Sequence, residues 1–366
     1  MKYIAICAAF ALMTSCAGTQ PGKTAVTPDD APPTPADILI TQLHNAVDSG
    51  RFYFGHHDDT AYGHTWRYVV GGSDVKAVTG EYPGLMSWDL GMIELDSARN
   101  LDGVPFDFMA GEIARQAARG GINAISWHPR NPLSGGDSWD VSTAPLREME
   151  SNKALKVIMT EWIDRAARFI ASLKDSEGHS IPVVFRPWHE NSGSWFWWGA
   201  ANATPGQYID LWHLTRERFD SLKVDTVVWA YSPDKDLTRE QYFSTYPGDE
   251  YVDILGSDIY HFGGEEGVDE YISRIKAQLP YVAEEARKRG KVAAFTETGL
   301  EGLEVSDWYT RVLAPAIEGL PIAYVCVWRN AIESEKPGHF YAPYPGHPSE
   351  KDFRKWHDES KAIFVR

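Results

Sequence analysis

Eight short apolar segments alternate with longer segments of helical periodicity along the chain. The apolar segments are rich in β-branched and aromatic residues and are bounded by Gly, Pro or Asp, a pattern typical of buried strands. They cover residues 52–56, 84–90, 122–128, 181–189, 226–232, 252–260, 292–298 and 322–328. Helical patterns cover residues 108–119, 155–174, 207–223, 268–289 and 352–363. This alternation predicts an α/β fold built on a parallel sheet.

The ends of the predicted strands favour a (β/α)8 TIM barrel over a doubly wound sheet, which is the alternative. Nearly every strand ends in a polar or aromatic cluster. In a barrel these ends converge on the C-terminal face, where active sites are built. A doubly wound sheet gathers ligand residues at one crevice, and no Gly-rich phosphate loop follows the first strand. We therefore predict one catalytic barrel domain over residues 37–366.

The N-terminal residues predict export. A short positively charged start precedes an apolar run, residues 3–13, that is too short to span a membrane. The run leads into Cys16, and this junction resembles a bacterial lipobox, so we predict a signal peptide over residues 1–16 with a lipid on Cys16. Residues 17–36 are rich in Pro, Thr, Ala and Asp and predict a flexible tether. Our first choice is an anchor facing the periplasm, and the alternatives are the cell surface or secretion.

Composition narrows the class of ligand. With 35 Lys and Arg against 51 Asp and Glu, the formal net charge of −16 argues against nucleic acid and polyanionic substrates. The 14 Trp, 17 Tyr and 15 Phe residues exceed what one core needs, and flat aromatic faces suit the C–H faces of sugar rings. Cys326 is the one cysteine of the predicted domain, which excludes an intramolecular disulfide or a Cys-rich metal site there. A neutral ligand fits best, and the tether with a single domain suggests a monomer.

Two carboxylates stand at the ends of predicted strands that face each other across a barrel. Glu190 ends the fourth strand and Glu297 ends the seventh. A retaining glycosidase needs such a pair, one acid to protonate the leaving oxygen and one carboxylate to attack, about 5–5.5 Å apart. A single Glu more often caps a helix or pairs with Arg. Two at matching strand ends beside aromatic clusters favour catalysis.

The segments around both carboxylates resemble glycoside hydrolase family 26, the β-mannanase family of the large (β/α)8 retaining clan. The resemblance rests on HENSGSWFWWG at 189–199, FTETG at 295–299, SWHP at 126–129 and YAPYPGHP at 341–348. It spans most of residues 50–350. Most of that clan has Asn before the acid/base, whereas family 26 is similar to this chain in having His there.

The resemblance implies roles for individual residues. Glu190 is implied to be the acid/base, with a pKa raised by burial and by the second carboxylate, and Glu297 the ionised nucleophile. His128 and His189 are implied to contact the sugar at the cleavage subsite, and Trp328 to form the hydrophobic floor under that sugar. Tyr260 is implied to hydrogen-bond Glu297, and Arg329 to reach sugars toward the non-reducing end. Trp195 is implied to stack on the sugar on the leaving-group side, with help from Trp139. Trp188, Trp197 and Trp198 are expected to support the loop, and Arg186 to be a buried support.

The resulting hypothesis is a retaining endo-β-1,4-mannanase acting on mannan or galactomannan without cofactor or metal. Residues 56–59 (HHDD) look metal-like, but a barrel metallohydrolase needs a carboxylate at the eighth strand, which ends in Trp-Arg-Asn. Alternatives within the family are mannobiose release from a chain end, β-1,3-xylanase and mixed-linkage glucanase. A non-enzymatic glycan-binding lipoprotein is a further alternative, but it would need the aromatic residues and not both carboxylates.

Overall fold

A closed barrel of eight parallel strands forms the centre of the structure. The computed structural model describes residues 32–366. The barrel strands are β1 (Phe52–His57), β2 (Leu85–Asp89), β3 (Ile122–Trp127), β4 (Val183–Pro187), β5 (Val227–Tyr231), β6 (Ile254–His261), β7 (Val292–Leu300) and β8 (Ile322–Val327). Each strand pairs in parallel with the next, and β1 also pairs with β8. The predicted (β/α)8 barrel is confirmed, and every predicted strand agrees with the observed bounds to within two residues.

Helices surround the barrel and connect its strands. Within residues 32–366 the α-helices are α1 (Pro35–Asp48), α2 (Asp74–Thr79), α3 (Phe106–Ala118), α4 (Pro145–Glu148), α5 (Lys153–Ser172), α6 (Pro205–Ser221), α7 (Arg239–Phe243), α8 (Val268–Lys288), α9 (Ala314–Ile317) and α10 (Glu350–Glu359). A π-helix, Trp308–Leu313, precedes α9. The five predicted helices correspond to α3, α5, α6, α8 and α10. No helix in this range combines the length and the apolar character needed to cross a bilayer.

The C-terminal prediction needs a correction. The helix expected over residues 352–363 ends at Glu359, and a strand, Ala362–Val365, follows it. This strand pairs in parallel with the start of β1 and antiparallel with Tyr82–Pro83. Its β-branched and aromatic residues suit a half-buried sheet edge, and the ring of Phe364 stacks on Phe54 with centroids 5.2 Å apart.

Helix α1 closes the N-terminal end of the barrel. Its buried residues Leu39, Leu43 and Ala46 pack with the side chains that fill the barrel interior, most of them from the first residues of their strands. A second cluster fills the space between the strands and the outer helices. The capping box of Thr34 and Asp37 fixes the start of α1. The interior is thus sealed below, which leaves the opposite end for a site.

The predictions for the N-terminus remain predictions. The signal peptide, Cys16 and the tether up to residue 31 lie outside the described residues. The predicted boundary at residue 36 needs a correction, because α1 begins at Pro35 and includes the last two residues of the predicted tether.

Candidate active site

The predicted site residues converge on one cavity at the C-terminal end of the barrel. The cavity measures about 380 Å³. Eight of the nine predicted site residues line it: His128, Trp139, His189, Glu190, Trp195, Tyr260, Glu297 and Trp328. Arg329 does not contribute to this lining. The other lining residues are Phe196, Asp234, Lys235, Phe262 and Tyr341.

A left-handed turn after β4 presents Glu190 to the cavity. Trp188 and Glu190 have φ of +54° and +52°, a region that residues other than glycine seldom occupy. The N–H of Glu190 donates to the carbonyl of Ser232 at the end of β5, at 2.8 Å. Strained backbone of this kind persists where surrounding contacts enforce it, often at functional sites.

Three fully buried tryptophans provide those contacts. The indole N–H of Trp188 donates to Oγ1 of Thr215 at 3.0 Å, and that of Trp197 to the carbonyl of Pro129 at 3.0 Å. The indole of Trp198 donates to the carbonyl of His189 at 2.9 Å. Each indole thus buries a large ring and satisfies its single donor. These three residues support the loop, as the sequence predicts.

The surroundings of Glu190 favour its protonated form. The side chain is half-buried in the cavity wall, and the loss of solvation there, followed by the nearby charge of Glu297, raises its pKa well above the usual range. Asp258 and Asp234 act in the same direction. The indole N–H of Trp195 donates to Oε2 of Glu190 at 2.7 Å and opposes the shift. Glu190 therefore has the character of a general acid.

Glu297 is held by donors on both of its oxygens. The hydroxyl of Tyr260 donates to Oε1 at 2.6 Å, and the guanidinium of Arg186 on β4 forms an ion pair with Oε2. An ionised carboxylate offers only acceptors, so this arrangement matches its hydrogen-bonding capacity. Glu297 is 7% exposed and faces the same cavity as Glu190.

A β-bulge in β7 aims Glu297 into the cavity. Ser257 of β6 lies opposite Phe295, but the next residue, Asp258, lies opposite Glu297, so Thr296 is extra. Strict alternation would put Thr296 and Glu297 on opposite faces. The bulge breaks this alternation. Oγ1 of Thr296 donates to the buried carboxylate of Asp258 at 2.6 Å, and the next residue, Glu297, still lines the cavity. Bulges commonly re-aim side chains beside active sites.

Arg186 also bonds a second buried carboxylate. Its guanidinium donates to Asp258 at 2.6 Å. Burial raises the pKa of Asp258 to about 8 against the opposing charge of Arg186. One guanidinium therefore serves Asp258 and Glu297 together. The expected buried support is accordingly a direct partner of the candidate nucleophile.

Two histidines form a hydrogen-bonded pair beside the carboxylates. Nδ1 of His128 lies 2.7 Å from Asp89, and its Nε2 lies 3.0 Å from Nε2 of His189. Although burial opposes it, the Asp89 carboxylate raises the pKa of His128. Burial lowers the pKa of His189 well below its usual range. The Asp89 carboxylate thus favours a proton on His128, whereas burial favours the neutral form of His189, which lies in the cavity wall.

Of the remaining predicted residues, Trp328 and Trp139 lie in the cavity lining and Arg329 lies outside it. Trp328 stacks on His57 with ring centroids 4.2 Å apart and a 23° interplanar angle. Trp139 is 48% exposed and stacks on His128 at 5.3 Å. Arg329, outside the cavity lining, pairs with Asp102 at 2.7 Å.

One group of side chains near Arg329 has the composition of a cation site. His57, Asp58 and Asp102 each offer a ligand atom, and these atoms lie within 4.8 Å of one another. The guanidinium of Arg329 already contacts Asp102 there. The guanidinium of Arg329 thus supplies, beside these carboxylates, the kind of positive charge that a bound cation would supply.

Several residues of the site carry no role in the sequence predictions. Asp89, Asp258 and Asp234 do lie in the polar clusters at strand ends, and that position is the signal that identifies them. Phe262 and Lys235 lie in loops, and no pattern in the sequence marks them. Their place in the cavity follows only from the tertiary structure.

Comparison with known proteins adds to this geometry. The sequence profile for Glycosyl hydrolase family 26 matches residues 35–296, well over half of the chain. The chain belongs to glycosyl hydrolase family 26. The family 26 match ends one residue before Glu297, so the placement of that carboxylate rests on the geometry of the site.

Proteins with established names are similar over most of this chain. A mannan endo-1,4-beta-mannosidase from Bifidobacterium adolescentis is 29% identical over 313 residues, which cover 80% of this chain but 31% of that protein. One from Bacillus subtilis is 26% identical over 317 residues, covering 81% and 83%. The structure of a family 26 β-mannanase from Bacteroides ovatus is 47% identical with a TM-score of 0.86, covering 91% and 96%. The chain thus spans about a third of the first relative and nearly all of the last.

Proposed function

We propose that this family 26 chain is a retaining endo-acting mannanase that cleaves β-1,4-mannosidic bonds. The observation that carries the proposal is the pair of carboxylates that face one cavity and have different hydrogen-bonding partners. Glu190 is held as an acid by burial and by neighbouring charge, and Glu297 accepts two donors as a carboxylate does. Such a division is what glycoside cleavage requires of its two groups.

The first step forms a covalent intermediate. A carboxylate oxygen of Glu297, held in place by Tyr260 and Arg186, attacks the anomeric carbon, and the bond from that carbon to the leaving oxygen breaks. Glu190 gives its proton to the leaving oxygen, so the departing chain leaves as an alcohol. Loss of that proton leaves Glu190 ionised next to Glu297, whose own negative charge is consumed in the new ester. The pair of residues therefore carries one negative charge both before and after the step.

The second step reverses these roles. Glu190, now a carboxylate, removes a proton from water, and the water oxygen attacks the anomeric carbon. The ester bond to Glu297 breaks, and its electron pair restores the carboxylate beside Arg186 and Tyr260. Two displacements at the same carbon retain its configuration, which is the general mechanism of the family.

The assignment of mannan as substrate is supported by the relatives and fits the cavity. Relatives that match about 80% of this chain are named mannan endo-1,4-beta-mannosidases. By contrast, an endoglucanase H from Acetivibrio thermocellus is 24% identical over 150 residues. His189 is a neutral group suited to bonding a sugar hydroxyl, and mannosides carry an axial 2-hydroxyl at the proposed subsite. These observations favour mannan over xylan or mixed-linkage glucan.

Separate replacement of the carboxylates tests the mechanism. We expect Glu190→Gln and Glu297→Gln each to lower kcat on mannan by about 10³-fold or more, since each removes a chemical role. An aryl mannobioside with an acidic phenol needs little protonation, so formation of the glycosyl-enzyme from it should survive in Glu190→Gln and be lost in Glu297→Gln. Glu177→Gln, at an exposed carboxylate, is the matched control. Undiminished mannan hydrolysis in either variant would exclude the assignment.

A time course of products decides between the family alternatives. Mannan, galactomannan, xylan and mixed-linkage glucan are digested in parallel with the wild-type enzyme. Early oligosaccharides of mixed length from mannan are the expected result of endo action. Immediate and exclusive mannobiose would instead assign chain-end action, and predominant hydrolysis of xylan or glucan would overturn the substrate. Binding without hydrolysis of any of them would favour a glycan-binding protein.

We also propose that the enzyme is a monomer held at a membrane, facing the periplasm, by a lipid on Cys16. The lipobox-like sequence before Cys16 supports the anchor. Incorporation of labelled fatty acid that is lost in Cys16→Ser is the expected result. Light scattering of the domain checks the monomer.

A further inference from the structure

An exposed phenylalanine stands at the edge of the catalytic cavity. Phe262 is 64% exposed, yet it lines the same cavity as both carboxylates. It follows β6, and Gly263 and Gly264 after it have φ of +81° and +54°, in the left-handed region that favours glycine. Exposed large apolar side chains cost solvation energy, and when grouped at a cleft they mark binding surfaces. The fold thus leaves this ring exposed at the edge of the cavity.

Polar groups accompany the ring. Nζ of Lys235 lies 5.5 Å from the centroid of Phe262, and it pairs with the carboxylate of Asp234 at 3.6 Å. Both residues line the cavity. The N–H of Asp234 donates to Oγ of Ser192 at 2.9 Å, which ties this loop to the one that bears Glu190. An aromatic face beside one donor and one acceptor has the elements needed to hold a neutral pyranose, whose ring offers C–H groups and hydroxyls.

The location of these residues identifies the side of the scissile bond that they serve. Lys235 and Asp234 follow β5, and Phe262 follows β6. The N–H of Glu190 donates to the carbonyl of Ser232 at 2.8 Å, and Ser232 lies two residues before Asp234. The group therefore lies beside the proton donor. Glu190 must face the leaving oxygen, so the sugar that departs is the one next to this group.

The opposite side of the cavity has a different set of residues. Trp328 follows β8 and stacks on His57 of β1. Strands β8 and β1 adjoin each other across the barrel from β5. The two aromatic walls consequently stand on opposite sides of the carboxylates. In a substrate chain that contacts both walls, the scissile bond lies between them.

We propose that Phe262, Lys235 and Asp234 form a binding subsite for a β-linked neutral sugar of the leaving group. Phe262 supplies the stacking face, and Lys235 with Asp234 bonds the hydroxyls. The subsite rests on the proposed function, because it holds the part of the chain released when Glu297 forms the glycosyl-enzyme. It also positions an acceptor sugar for the reverse step. There a sugar hydroxyl attacks the anomeric carbon, its proton passes to Glu190, and the bond to Glu297 breaks.

The test compares substrates with and without a leaving-group sugar. Mannopentaose occupies the subsite, whereas an aryl β-mannobioside with a dinitrophenyl leaving group carries no sugar beyond the scissile bond. We expect Phe262→Ala to lower kcat/KM on mannopentaose by about 10-fold, the scale of one lost apolar contact, and on the aryl substrate by less than about 2-fold. Phe262→Trp should retain activity on mannopentaose. Lys235→Met should lower kcat/KM on mannopentaose alone.

The product mixture gives a second readout that a purely structural role would not move. At high mannotriose concentration, Phe262→Ala should form a smaller share of transfer products relative to hydrolysis. Val70→Ala, at a valine that is 74% exposed and outside the cavity lining, is the control and should match the wild type on both substrates. Equal losses of Phe262→Ala on both substrates, or no loss on mannopentaose, would overturn the subsite while leaving the mannanase assignment intact. A wild-type enzyme that cleaves neither substrate would overturn both.

Discussion

The two candidate catalytic residues are chemically identical side chains, and their neighbours make them different. Glu190 shares its surroundings with carboxylates and receives one indole N–H. Glu297 receives a guanidinium and a phenol. Burial of a carboxyl favours the neutral form unless donors compensate. The distribution of Arg186, Tyr260 and Trp195 is thus the basis for the proposed roles of acid and nucleophile.

The hydrogen bond from Trp195 predicts the direction of a pH shift. The indole N–H stabilises ionised Glu190 and lowers its pKa against the effect of burial. Trp195→Phe removes this donor and keeps an aromatic face, so the pKa of Glu190 should rise further. The alkaline limb of the kcat/KM profile reports loss of the proton from the free enzyme's acid. We expect that limb to move to higher pH by about 0.5–1 unit.

A second variant separates this effect from loss of aromatic surface. Trp139 also lines the cavity, but its ring stacks on His128 and makes no hydrogen bond to Glu190. Trp139→Phe is expected to change the rate and leave the position of the alkaline limb unaltered. Profiles measured on mannopentaose for both variants provide the comparison. A shift of the Trp195→Phe limb to lower pH would contradict the proposed direction.

At the scale of elements, regular structure was predictable and its irregularities were not. Apolar runs of β-branched and aromatic residues located all eight strands, because buried parallel strands need such side chains on both faces. The same patterns carry no information on the left-handed turn at Glu190 or the bulge at Thr296. Both depend on contacts with neighbouring strands. The sequence therefore placed the carboxylates at strand ends, while the tertiary fold determines where they point.

The first helix shows how composition can hide an element. The proline, threonine and alanine that suggest a tether continue to residue 36, and α1 begins at Pro35. Proline suits the first turn of a helix, since its missing N–H has no partner there. The buried positions Leu39, Leu43 and Ala46 follow helical spacing, but three apolar residues in isolation are a weak signal. Their importance comes from the open end of the barrel that they cover.

This role of α1 predicts a large effect of one substitution. Leu43 is fully buried against the barrel interior, whereas Ile38 on the same helix is 57% exposed. Leu43→Ala should destabilise the domain by about 2–5 kcal/mol, because it removes apolar contacts and leaves a cavity. Calorimetry should show a fall in Tm of about 4–10 °C. Ile38→Ala should lie within about 1 °C of the wild type, and equal effects of the two would contradict the role of α1.

Across the whole molecule, stability and chemistry occupy opposite ends of the barrel. The N-terminal end is filled by apolar side chains and closed by α1. The C-terminal end holds buried carboxylates, histidines and a guanidinium, together with backbone in unfavourable conformations. Such groups contribute little to stability and are tolerated because the apolar interior supports them. A barrel permits this separation, since its strands fix the catalytic end from below.

This separation predicts that the effects of substitutions at the two ends of the barrel are additive. Leu43 lies in the closed end and Phe262 at the cavity edge, without shared packing partners. Effects of such distant sites usually add to within about 0.5 kcal/mol. The double variant Leu43→Ala/Phe262→Ala should therefore show the Tm of Leu43→Ala and, at a temperature where both remain folded, the kcat/KM of Phe262→Ala on mannopentaose. Calorimetry and kinetics on all four proteins complete the cycle. A kcat/KM of the double variant more than about 3-fold below that of Phe262→Ala would show that the packing of the barrel interior affects the activity of the site. That result would contradict the separation.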